Sequence, residues 1–310
     1  MGTSEHERGD TALEKVWELL PSKLWEAVER LPAGERERIE EVRLRMGRPV
    51  SVTLPEGERF LPGTAADRET LERVLERASR CSVHAVLEQL RNGFVSVQGG
   101  HRLGLCGTGV VDNGILVNLR AVSSLSLRQA REVKGIAAPV LPALLEKNRL
   151  QNTLILAPPG RGKTTLLRDL IRTVSSGEGC PPLRVGLADE RGEVAAVWDG
   201  RPMLDVGPRT DVMDSCPKDI GIMALLRGMN PQVLAVDEIT RSADAEALLQ
   251  AAGCGTALLA TAHAGCVDDL KRRGAYRRLV QEGIFERFVM VEGTGQERNY
   301  RVMKRGDTGC

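Results

Sequence analysis

Over 310 residues, 43 lysines and arginines face 42 aspartates and glutamates, a net charge of +1, so bulk electrostatics select no polyanionic partner. Aromatic residues make up 3%, too few for a base-stacking nucleic-acid platform, and they leave an aliphatic core. The seven cysteines and four histidines show no zinc-ligand spacing, and no apolar run nears the ~20 residues that cross a bilayer. The first ten residues are polar and acidic, unlike a signal peptide, so a cytoplasmic chain with room for two domains is expected.

In chain order, residues 1–10 read as a disordered tail. Apolar positions from Leu13 to Leu31 recur at helical spacing, interrupted by Pro21 and Pro32. Glu41–Arg45 alternates apolar and charged residues, and Pro49–Leu54 continues as strand-like sequence. Helices follow over Asp67–Arg80 and Val83–Arg91. Phe94–Val97, His101–Leu105 and Ile115–Leu119 read as short strands, with Asn113-Gly114 as a hairpin turn. Pro139 and Pro142 flank a connector, giving an α+β N-terminal domain over 11–140 and a second domain over 141–310. There, candidate strands (Leu154–Ala157, Val185–Ala188, Val233–Val236, Ala257–Thr261, Phe288–Val291) alternate with helices such as Lys218–Met229 and Ala243–Ala252. A βαβ series of this kind implies an α/β fold with a mainly parallel sheet.

The most informative stretch is Thr153–Leu167, an apolar strand, a Gly-rich loop and a helix start. Its loop, A-x-x-x-x-G-K-T, has Walker A spacing with the small Ala157 at the first glycine position. Gly160 and Gly162 let the backbone turn so that the N–H groups of Pro159–Thr165 (Gly160, Arg161, Gly162, Lys163, Thr164 and Thr165; proline has none) surround phosphate oxygens. Lys163 supplies a point charge, the Thr164 hydroxyl can ligate Mg²⁺, and the helix aims its positive end at the same phosphates. ATP and Mg²⁺ are the ligands this chemistry expects.

Val233–Val236 is an apolar strand ending in Asp237 and Glu238, a Walker B pattern. Asp237 would hold the Mg²⁺ shell while Glu238 orients or deprotonates the attacking water. The next strand ends Thr261-Ala262-His263, where Thr261 or His263 can sense a γ-phosphate. Between the Walker motifs, Asp189-Glu190-Arg191-Gly192-Glu193 also follows a strand, so Glu190 and Glu193 rival Glu238 as base.

These four boxes, in this order, resemble those of the secretion ATPases, the hexameric motors of type II and type IV secretion and pilus assembly. The acidic box matches Asp189–Glu193 and the histidine box Ala260–His263. Glu41–Val50, Arg91–Phe94, Gly99–Gly104, Ser123–Arg128 and Asp214–Lys218 narrow the match, being similar to signatures of the stage III sporulation protein AA family. Ala157, and the Thr-Ala that precedes His263, depart slightly from the common motor pattern. The resemblance implies a RecA-like domain with strand order 5-1-4-3-2 and a homo-oligomer, a hexamer by analogy. It further implies a mother-cell ATPase, peripheral at the inner face of the membrane through a membrane-embedded, platform-like partner. Its work would be assembly of, or transport through, the mother cell–forespore channel. Because charge on the transferring phosphate needs cations, Arg43, Arg45, Arg102 and Arg128 are the candidates to complete a neighbour's site. Two other readings share the boxes. A RecA-like nucleic-acid motor is disfavoured by the scarce aromatics and balanced charge, and a nucleotide-gated scaffold with little turnover by the Asp237-Glu238 pair. No specific nucleic-acid partner is expected.

Overall fold

Prolines that break the early helical pattern sit where a missing N–H costs nothing. Pro21 and Pro32 precede helices α1 (Ser22–Glu29) and α2 (Ala33–Arg36) at their N-cap positions. The computed structural model describes residues 16–79, 93–293 and 298–307; the expected tail, the helix at 83–91, and Arg91 and Asn92 lie outside the described residues. The chain packs as two units, one running to Arg131 and including Ala196–Met203, the other formed by Glu132–Ala195 and Leu204–Cys310.

In the first unit, alternation builds a six-stranded antiparallel sheet. Strands β1 (Glu41–Arg45), β2 (Ser51–Leu54), β3 (Gly57–Phe60), β4 (Phe94–Val97), β5 (His101–Asp112) and β6 (Ile115–Arg128) lie in the order β3-β2-β1-β6-β5-β4. Val42, Leu44, Val52, Leu103 and Leu127 point to one face and are fully buried in a core shared with Leu71 and Val74 of α3 (Arg68–Ser79). A period of two sends their neighbours to the other face. The strands expected at His101–Leu105 and Ile115–Leu119 are far longer, because β5 and β6 pair with each other beyond the sheet, through several register shifts. Gly107 permits this, since a Cβ there would stand 2.0 Å from the Ala121 carbonyl oxygen. Asn113 and Gly114 close the ribbon with φ of 47° and 78°, the left-handed pair a tight hairpin turn requires. A two-residue ribbon, Val197–Trp198 against Arg201–Pro202, also belongs to this unit.

The second unit is built on β7 (Thr153–Leu156), β8 (Val185–Asp189), β9 (Thr210–Asp214), β10 (Val233–Val236), β11 (Ala257–Ala262), β12 (Arg287–Glu292) and β13 (Asn299–Lys304). Their order is β9-β8-β10-β11-β7-β12-β13, all neighbours parallel except the β12–β13 pair. β9 and β13 are edge strands beyond the five read from the sequence. Besides a single turn at Leu141–Leu144, the helices are α4 (Lys163–Ser176), α5 (Lys218–Gly228), α6 (Ser242–Gly253), α7 (Val267–Lys271) and α8 (Gly274–Gln281). Ile222, Leu225, Leu248, Tyr276 and Leu279 from these helices pack on Leu154, Leu156, Leu234 and Val236. Each fully buried leucine contributes about 2–3 kcal/mol. Among the described residues no helix is long and apolar enough to cross a membrane.

Candidate nucleotide-binding site

The site lies at the carboxyl ends of β7, β10, β11 and β8, where a parallel sheet exposes its loops. Every residue of β7 is buried, and the strand ends at the fully buried Ala157, whose N–H donates to the Ala262 carbonyl at 3.3 Å. Beyond it, Pro158–Gly160 are exposed, and Gly160 and Gly162 take φ of 73° and 89°. That left-handed backbone turns successive N–H groups toward one point, the anion-binding nest expected of a phosphate loop. Gly162 is the N-cap of α4, so the first-turn N–H groups open onto the same point. The helix ends at Gly177, where the N–H groups of Gly177 and Glu178 both reach the Thr173 carbonyl at 3.0 Å. Its middle is fastened by Asp169, which accepts from Arg172 Nε at 2.8 Å and from the Ala137 N–H at 2.7 Å.

Lys163 is buried, and burial lowers its pKa despite the opposing charges of Asp237 and Glu238. Its Nζ donates to the Pro158 carbonyl at 3.0 Å and lies 2.7 Å from His263 Nδ1. An ammonium has only donors, so Nδ1 accepts and the imidazole proton resides on Nε2. That Nε2 is 3.2 Å from Glu238 Oε1. His263 therefore links the loop lysine to the Walker B glutamate. On its other oxygen, Glu238 lies 3.8 Å from Arg191 Nη1.

Asp237 is held by two hydroxyls, Thr164 Oγ1 on Oδ2 and Thr261 Oγ1 on Oδ1, both at 2.7 Å. Burial raises its pKa, the two hydroxyl donors opposing the rise. A hydroxyl and a half-buried carboxylate side by side at the helix start form the donor set an octahedral Mg²⁺ takes alongside phosphate oxygens. Thr261 is fully buried and also accepts the Glu238 N–H at 2.9 Å. Of the two residues read as phosphate sensors, His263 touches Lys163, whereas Thr261 sits behind the carboxylates. Glu238 has φ of 48°, a strained value for a residue with a side chain, and the Thr261 bond helps hold it there.

The acidic box divides by role. Asp189 is buried and accepts the N–H groups of Glu193, Val194 and Ala195 at 2.9, 3.1 and 2.8 Å, so it ties down the loop. Burial pushes its pKa up to about 6 despite those donors, with Asp237 and Asp214 adding to the rise. Glu190 Oε2 accepts from the buried Lys218 Nζ at 2.8 Å, while the Glu193 carbonyl accepts from Arg168 Nη2 at 2.7 Å. Asp189, Glu190, Arg191, Glu193, Lys218, Asp237 and Glu238 line one small cleft. Lys218 escapes sequence reasoning, although a lysine opening a helix opposes the dipole and so signals a nearby acid.

Arg43, Arg45, Arg102 and Arg128 belong to the first unit. The registers Glu41–Arg128–Arg102 and Arg43–Ser126 place all four on the sheet face opposite its core. Arg43 pairs with Glu41, Arg45 with Glu58 at 2.7 Å, and Arg128 with Glu41 at 3.8 Å, while Arg102 lies over the Phe94 ring at 4.4 Å.

Residues 11–305 match the family described as sporulation stage III, protein AA. The chain belongs to the stage III sporulation protein AA family. The Bacillus subtilis stage III sporulation protein AA is 40% identical over 278 residues, covering 89% of this chain and 90% of that protein. Among solved structures, the Legionella pneumophila ATPase DotB superposes with a TM-score of 0.60 at 14% identity, covering 91% of this chain and 79% of that one. The pilus retraction motor PilT, solved with bound ADP, also gives 0.60, at 17% identity and covering 87% and 81%. At such identities the likeness establishes that this family member shares the α/β fold of the secretion ATPases.

Proposed function

We propose that the chain is a Mg²⁺-dependent ATPase of the secretion-motor kind. The observation that carries this reading is the gathering of Lys163, Thr164, Asp237, Glu238 and His263 at one helix N-terminus, with Lys163 bonded to His263, Thr164 to Asp237, and His263 3.2 Å from Glu238. In this reading the backbone of Pro159–Thr165 and the Lys163 ammonium bind the β- and γ-phosphates of ATP. Thr164 and Asp237 hold Mg²⁺, which screens phosphate charge. Glu238 orients the attacking water and accepts its proton. Glu190 is engaged by Lys218, which favours Glu238 over Glu190 as base; Glu193 remains its rival from the acidic box. When phosphate takes Lys163, His263 loses that donor and can report the occupancy to Glu238.

The arginine-bearing sheet face suits the role of supplying cations to a neighbouring subunit, so the active form is a homo-oligomer, a hexamer by analogy with the secretion motors. Kinship with the Bacillus subtilis stage III sporulation protein AA supports a role in sporulation, which in this reading is cytoplasmic and in the mother cell. There it would energise the mother cell–forespore channel through a membrane-embedded platform partner.

The test is ATP hydrolysis against protein concentration, with sedimentation on the same samples, for wild type, Lys163→Ala and Glu238→Gln. Turnover should rise as an oligomer forms, Lys163→Ala should lose binding, and Glu238→Gln should bind without turnover. Normal hydrolysis by Glu238→Gln would move the base to Glu193 or Glu190. Assembly on ATP without turnover would leave a nucleotide-gated scaffold, and stimulation by polynucleotide would mean a nucleic-acid motor.

A further inference from the structure

A second cation stands at the phosphate loop, brought from the other end of the chain. A Cβ built on Gly162 would lie 2.7 Å from Arg298 Cζ and 2.8 Å from its Nη1. The guanidinium thus lies directly on the residue that caps α4. The loop also meets Gly293, whose carbonyl accepts from Arg161 Nη1 at 3.2 Å. Arg298 Nε is buried and, among the described residues, has no hydrogen-bond partner.

This placement conflicts with elementary electrostatics. A helix N-terminus carries roughly half a positive charge, which repels a guanidinium. The buried Lys163 adds another cation one residue further on. A buried donor without an acceptor costs about 1–3 kcal/mol more. One ligand resolves all three conflicts at once, namely a polyanion lying between the helix start, Lys163 and Arg298. Arginine suits it, since its planar fork matches phosphate oxygens.

We propose that Arg298 is a ligand for the phosphate chain of the bound nucleotide, supplied within the same subunit and opposite Lys163. The inference rests on the nucleotide-site reading above, and the experiment separates the two. Titrations would follow binding of ATP, and of inorganic tripolyphosphate as a probe lacking base and sugar. They would use full-length wild type, Lys163→Ala, Arg298→Ala, Arg298→Lys and Arg298→Gln, with thermal unfolding of each protein as a check on folding. Arg298→Ala should weaken both ligands by roughly tenfold or more, as loss of a hydrogen bond to a charged group does. Arg298→Lys should recover part of that affinity, and Arg298→Gln serves if the alanine variant does not fold.

If wild type binds neither probe, the nucleotide reading fails and this inference with it. If wild type binds and Lys163→Ala does not, but Arg298→Ala stays within twofold, Arg298 merely packs on the loop and only this inference fails. Weakened ATP with unchanged tripolyphosphate would put the contact on base or sugar and overturn the assignment.

Discussion

Thr261→Val tests whether one hidden hydroxyl holds both Walker B carboxylates in place. Valine keeps the branched shape and strand preference of threonine, so the change isolates the oxygen. Thr261 is fully buried, donates to Asp237 at 2.7 Å and accepts the Glu238 N–H at 2.9 Å. A hydrogen bond to a charged group contributes about 1.5–3 kcal/mol, and an orphaned N–H costs about 1–3 kcal/mol. Because Glu238 is only partly buried and water can reach part of that site, a total near 3–4 kcal/mol is expected. Thr261→Ser keeps the hydroxyl and loses one buried methyl, about 1 kcal/mol. Urea unfolding followed by circular dichroism, at fixed m, gives both differences. Valine should therefore be clearly more damaging than serine, and its ATP turnover should fall further because Glu238 is freed from its strained backbone. A valine variant within 1 kcal/mol of wild type, or a serine variant less stable than valine, would refute the argument.

Lys218→Met should destabilise the protein by about 1–3 kcal/mol, discounted because the Glu190 side chain is 30% exposed. Adding Glu190→Gln should recover most of the loss, and a double-mutant cycle with no coupling would count against the pair. Asp189 gives a pH dependence of definite sign. Its pKa rises on folding from 3.8 to about 6, so its contribution is fully present below pH 3.8 and is lost as pH rises through 6. Asp189→Asn should remove that downward slope from stability measured between pH 4 and 6. An unchanged slope would assign the titration to another group.

What the sequence discloses follows from burial. Central strands such as β7 and β10 are buried on every residue and read as continuous apolar runs, whereas all five residues of β9 are half-buried and mix polar with apolar types. The edge strands β9 and β13 therefore left no clear local signal. The hairpin at Asn113-Gly114 is legible because few residue pairs accept two left-handed conformations. Its strand lengths are not, since only the glycines at 107 and 109 hint that the ribbon continues. In the site, the Walker residues announce themselves by spacing. The contacts that organise them do not, because Lys163 meets His263 across 100 residues and Lys218 meets Glu190 across 28. Arg298 carries no motif at all, and only the approach to Gly162 gives it meaning.

The short ribbon at 196–203 has a consequence for biosynthesis. The first unit owns those residues, yet they leave the ribosome about 70 residues after Arg131. At typical translation rates of 5–20 residues per second, that unit waits roughly 4–14 s for its last piece. Within that interval the phosphate loop and then the β8 strand emerge. The nascent chain thus begins its second unit before its first can be finished, and no single cut in the mature polypeptide releases either one whole.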